Sequence, residues 1–242
     1  MSVRAALRTD LTVQFRYGFH AAYLFVAVAY VGLLLLVPAA PRMLAIAPVL
    51  LSEATVIGFI FAGTLLHLER SDGVLRALAV TPLRVRSYLF SKVLSLSLLT
   101  VAVALTIAWA AGARVDAPLL ALGAALTSAL FVAAGLSAAA AFSSLDRFAV
   151  WGGLGASLLG LPVLPYLGLL ESPLWWLLPT WPALLLLGAG VGAPDGAVAA
   201  GTGLMVVAAA AMTAWVATGL LLADRWLERR AFDRGAGTRR AV

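Results

Sequence analysis

The chain has 242 residues, 63% of them hydrophobic and 12% charged, with a mean hydropathy of +1.02. A water-soluble domain needs far more polar surface, so the length is occupied by membrane spans. The lack of Cys excludes disulfides, iron–sulfur clusters and thiolate zinc sites. The net charge of +6 sits in arginines beside apolar runs, which reads as a rim on anionic lipid and not as a nucleic-acid surface.

From the N-terminus, Leu7, Leu11, Phe15 and Phe19 form one i,i+4 row and Arg4, Arg8, Thr12 and Arg16 another. Residues 1–18 therefore predict an amphipathic helix lying in the interface. The apolar run that follows exceeds the roughly 7–15 residues of a signal-peptide core, so 19–37 is read as a retained span. A crossing helix needs about 20 mostly apolar residues. Further segments that qualify are 46–66, 89–112, 117–141, 148–170 and 197–223.

Glu53 stands in the outer half of the second span, with Thr64 on about the same helical face. A mid-bilayer carboxylate costs about 2.5–3.5 kcal/mol on insertion scales, so it should face protein or water. Two roles are open: lining a cavity that attracts a cationic or zwitterionic molecule, or bonding between helices. In the fifth span Gly152, Ala156 and Gly160 recur at four-residue spacing, a pattern that lets helices or subunits pack closely.

The connection after the second span, 67–92, carries seven charged residues: Glu69, Arg70, Asp72, Arg76, Arg84, Arg86 and Lys92. Leu68, Leu75, Leu78 and Ala79 recur at helical spacing, with Glu69, Asp72 and Arg76 on another face. Residues 69–80 thus predict a short amphipathic helix. Pro82 ends it, and Thr81 caps the helix leading into the third span.

The stretch 171–190 is apolar enough to tempt a seventh span, but Pro173, Pro179 and Pro182 interrupt it. A full crossing would also place the arginine-rich tail, 224–242, outside. It is read as a re-entrant pair of short helices over 172–190 that enters and leaves on the outer face. With both termini cytoplasmic, only Arg42 and Arg114 of the 17 Lys and Arg residues lie outside.

In order, Glu69, Arg70, Gly73, Leu75, Leu78, Thr81, Pro82, Leu83, Tyr88 and Lys92 resemble the loop of ABC-2 permeases, the membrane halves of ATP-binding-cassette transporters. The resemblance implies an all-α, six-span fold with the N-terminal interfacial helix, a cytoplasmic coupling helix and an extracellular re-entrant pair before the last span. It implies that Glu69, Arg70, Asp72, Gly73, Leu75, Arg76, Leu78, Thr81 and Pro82 dock an ATPase subunit. It also implies a second permease half, identical or related, meeting this one near the first and fifth spans. The short external loops and LLPTWPALLLL resemble bacterial drug exporters of the daunorubicin and fluoroquinolone type, placed in the cytoplasmic membrane. Haem-exporter permeases are the nearest alternative, and a proton-coupled secondary transporter is a more distant one.

No G-x-x-x-x-G-K-[ST] occurs, so ATP and Mg are expected on a separate subunit and no cofactor on this chain. The two histidines, His20 and His67, fall at span ends. Without Cys or H-E-x-x-H, neither an intramembrane protease nor a catalytic zinc site is expected.

Overall fold

The structure, a computed structural model, describes residues 10, 12–74, 85–170, 172–193 and 201–227. Among these residues helices are the only regular structure, and six are long and apolar enough to cross a membrane. They are α1 (Phe19–Leu36), α2 (Ala39–Ser71), α3 (Val85–Ala110), α4 (Ala117–Ala141), α5 (Leu145–Tyr166) and α7 (Thr202–Leu227). A shorter apolar helix, α6 (Thr180–Gly190), lies between the last two. The chain is an all-α, six-span membrane protein.

Helix boundaries follow local chemistry. The first described turn, 12–16, ends at Gly18, whose φ of 73° starts α1. Arg42 closes the far end of α1: its guanidinium donates to the Val37 carbonyl from Nε at 3.0 Å and from Nη2 at 2.9 Å. That contact holds carbonyls a helix end leaves without partners. Asp116 caps α4 by accepting from the Leu119 N–H at 3.2 Å.

With 33 residues, α2 is about 50 Å long and overshoots a hydrocarbon layer of about 30 Å. Its last turns, with His67, Glu69 and Arg70, therefore continue the span helix beyond the apolar region. The expected amphipathic helix does not begin at 69: α2 runs to Ser71, and Gly73, with φ 73°, turns the chain. The remainder of that segment, 75–84, lies outside the described residues.

The central helix is α4, with two-thirds of its apolar window buried, against about a fifth or less for α1, α5 and α7. Its Ala- and Gly-rich sequence lets neighbours approach closely. A Cβ on Gly135 would overlap the Phe59 backbone, and one on Gly58 would sit 2.7 Å from Phe131 Cβ. Two of the helices carry a π-turn, Val56–Phe61 in α2 and Phe148–Gly152 in α5. The turns face each other through the stacked rings of Phe59 and Phe148, with centroids 5.6 Å apart. Such turns insert one extra residue into a helix.

After α5 the chain forms a 3₁₀ turn, Pro173–Leu177, and then α6. Thr180 Oγ1 donates to the Leu159 carbonyl at 2.5 Å, just before the turn that interrupts α5 at Gly160. At the other end of α6 the Gly190 carbonyl accepts from Asp116 N–H at 2.9 Å, at the start of α4. The start of α4 and the end of α5 lie at the same end of the bundle, and α6 is bonded to both helices. Its buried run Ala183–Leu187 is covered by protein on all sides, as an apolar helix without a polar face requires.

Gly135→Ala should destabilise the fold by about 1–3 kcal/mol through overpacking. Gly203→Ala, where a Cβ meets nothing within 4 Å, should not. Thermal midpoints of the two variants in detergent, compared with the parent, check this.

Candidate coupling site and transport groove

At the end of the bundle where α2 finishes and α3 begins, three residues of the charged connection meet below the surface. On α3, Tyr88, Lys92 and Ser95 recur at i, i+4 and i+7 and so share one face. Lys92 Nζ bonds Glu69 Oε1 of α2 at 2.5 Å and also Asp10 Oδ1. Tyr88 Oη donates to Glu69 Oε2 at 2.6 Å. Ser95 Oγ donates to Asp10 Oδ2 at 2.5 Å, and Gln14 Nε2 to Ser95 Oγ at 3.0 Å. Lys92, Glu69 and Asp10 are all less than 5% exposed.

An ammonium buried this way is tolerable only with counter-charge and full hydrogen bonding. The network supplies two carboxylates as counter-charge and acceptors, and in doing so ties the N-terminal segment, α2 and α3 to one point. Two shorter ties flank it. Tyr17 Oη donates to Asp72 Oδ2, which joins the N-terminal segment to the turn after α2. The hydrogen bond to Asp72 raises the Tyr17 phenol above its ordinary value. Arg86 Nε meets Asp224 Oδ2 at 3.0 Å, joining α3 to α7.

The expected docking residues separate into different environments. Glu69 is turned inward, so its carboxylate is not on an outward surface of this chain. Arg70 is half-buried and donates to the Phe142 carbonyl at 3.3 Å, in the connection between α4 and α5. Asp72 is exposed, and Gly73 makes the turn. Leu75, Arg76, Leu78, Thr81 and Pro82 lie outside the described residues. Sequence reasoning missed Asp10. Its signal was indirect: Lys92 is the chain's lone lysine, and a cation inside an apolar helix requires an acidic partner.

Toward the other end, α2 and α5 diverge around a groove of 310 Å³. Leu51, Ser52, Thr55 and Ile60 line one wall, and Ala156, Ser157 and Gly160 the other. The lining is apolar with a few hydroxyls and no charge, and Pro48 stands at its rim. Gly152, Ala156 and Gly160 do not form one outward seam: Gly152 packs inside against the Phe148 and Phe59 rings, while the other two face the groove. The outward face of α5 is instead Val150, Trp151, Leu154, Leu158 and Leu161.

Glu53 has no exposed surface, and neither carboxyl oxygen has a hydrogen-bond partner among the described residues. Thr64 is half-buried. Regular helical spacing aligns the two, but the π-turn between them displaces the outer half by about 100°. Among the described residues no group of His, Asp and Glu is placed to hold a metal ion.

Lys92→Met leaves two carboxylates buried without a cation and should cost about 3–5 kcal/mol. Glu69→Gln leaves a one-to-one pair of Lys92 with Asp10 and should cost much less. Yield and detergent thermal midpoints check the order; equal losses would contradict this reading of the network.

The fluoroquinolones export permease protein family matches residues 1–234. The chain is also similar to fluoroquinolones export permease proteins from two Mycobacterium tuberculosis strains, CDC 1551 and H37Rv. Each is 35% identical over 188 residues, covering 76% of this chain and 78% of the relative. Permeases of this family are transport subunits, not enzymes, and a separate subunit hydrolyses the ATP. With six spans, Glu69 and Tyr88 of the motif gathered around Lys92 and a match over nearly its whole length, the chain belongs to the fluoroquinolones export permease family of ABC-2-type drug-export permeases.

Proposed function

We propose that this permease exports amphipathic small molecules, fluoroquinolones among them, through the groove between α2 and α5, and so contributes to multidrug resistance. The observation that carries the reading is the Lys92 network. It fixes the base of the segment after α2 to α3 and to the N-terminal segment, so a push on that segment moves span helices together instead of being lost in a loose loop.

The ATPase docks on the segment after α2, with the exposed Asp72 and the residues Leu75, Arg76 and Leu78 as its contact, and holds ATP and Mg. Glu69 acts from inside, as the anchor of that surface. A second permease half, a copy of this chain or a related one, covers the exposed faces of α1 and α5 and closes the groove into a pathway. The basic end faces the cytoplasm with both termini, which places arginines and Lys92 on the side favoured by the positive-inside bias. The membrane is the bacterial cytoplasmic membrane, whose anionic lipid meets the N-terminal arginines.

The apolar groove with scattered hydroxyls suits an amphipathic ligand, since such sites combine hydrophobic walls with a few orienting polar groups. Filling it tests the reading. In inverted vesicles containing this chain and its ATPase, Ala156→Trp should abolish fluoroquinolone uptake while the ATPase still co-purifies in unchanged ratio. Undiminished transport would remove the groove from the pathway, and a purified chain that never holds an ATPase would remove the ATP-driven mechanism.

A further inference from the structure

The groove lacks a charged group, yet a carboxyl lies beside it, turned away. Ser52 and Thr55 line the groove, and Glu53 between them is buried on the reverse face with both oxygens unpartnered among the described residues. A carboxyl in such a place is retained for a partner it does not have in this conformation.

The backbone next to it explains the concealment. Glu53 lies between two interruptions of α2: Pro48, which lacks the N–H for one helical bond, and the π-turn Val56–Phe61. The extra residue in that turn leaves every residue of the outer half about 100° ahead of its regular position relative to the inner half. If the turn closes into regular helix while the inner half stays fixed, each outer residue moves to the angular place of its predecessor. Glu53 then occupies the position where Ser52 now lines the groove. The same change restores the alignment of Glu53 with Thr64, to within about 20° over eleven residues.

The inner half has reason to stay fixed, because Glu69 is bound to Lys92 and Tyr88. The turn also faces its counterpart in α5 through the Phe59–Phe148 stack, so the two walls of the groove are joined at their points of irregularity.

We propose that the π-turn of α2 is a rotary switch that brings the Glu53 carboxylate into the groove, where it binds the ammonium group of an amphipathic amine or zwitterion. This deepens the export reading and rests on it for the ligand. In the conformation described here the carboxyl is withdrawn and the groove is uncharged. In the other it presents one anionic group against apolar walls.

The absence of cysteine in the chain makes the switch directly testable. Single variants Ser52→Cys and Glu53→Cys are treated with N-ethylmaleimide in inverted vesicles containing the complete permease–ATPase complex. In the resting complex Ser52→Cys should react and Glu53→Cys should be protected. After trapping with ATP and orthovanadate Glu53→Cys should become reactive, while Ser52→Cys, moved to the place where Leu51 now lines the groove, should stay reactive. A Glu53→Cys thiol that stays protected in both states overturns the switch.

The ligand is tested with a fluoroquinolone bearing a free piperazine amine and with its N-acetyl derivative. Glu53→Gln should lower export of the amine by roughly tenfold or more, the effect of losing one charged hydrogen bond. The acetylated compound should be little affected, and Glu53→Asp should retain amine export. Equal loss of both compounds from an intact complex overturns the carboxylate's role. Export of neither compound by the unmodified chain sinks the export reading, and the ammonium with it, whereas the labelling pattern does not depend on that result.

Discussion

An ammonium placed inside a bundle of apolar helices is surrounded by a medium that cannot solvate it. The helices must therefore arrange themselves around its counter-charges. Lys92 imposes this condition here. Glu69 arrives from the end of α2 and Asp10 from the N-terminal segment, while Tyr88 and Ser95 occupy the remaining carboxylate oxygens. The network is ionic in chemistry and mechanical in consequence. Three pieces of chain far apart in sequence are held at one point, next to the turn at Gly73.

From that point outward the structure alternates rigid and adaptable parts. The central helix α4 is built of small residues, so α2, α3 and α6 pack against it at close range. α2 and α5 differ from it. Each contains a π-turn, and the two meet through Phe59 and Phe148. Below this meeting α2 is pinned by its ionic anchor. Above it the two helices diverge around the groove.

Much of the bundle was legible from local pattern. The apolar runs announced six crossings because backbone polar groups in hydrocarbon must be satisfied within a helix, and about 20 apolar residues are needed to cross it. The prolines at 173, 179 and 182 marked a broken segment, and the structure has a 3₁₀ turn and a short helix there. The motif Glu69, Tyr88 and Lys92 could be read as a set. Its direction could not: one face of a helix end looks the same in sequence whether it points to a partner or into the bundle. Asp10, some eighty residues from Lys92, gave no local sign of its role.

Counting along a regular helix meets an irregular stretch in both α2 and α5. Glu53 and Thr64 in α2, and Gly152 with Ala156 and Gly160 in α5, were aligned by counting 3.6 residues per turn. A π-turn lies between Glu53 and Thr64, whereas in α5 regular helix runs from Gly153 to Leu159 and gives way to a turn at Gly160. The sequence by itself determined that the chain is a six-span helical protein with a charged connection after the second span, because hydrophobic length and charge placement act locally. Only the tertiary structure decided which charges face inward, which small residues meet other helices and which wall of the groove is uncharged. Those depend on helix register and on partners distant in the chain, and neither is encoded in the spacing of one segment.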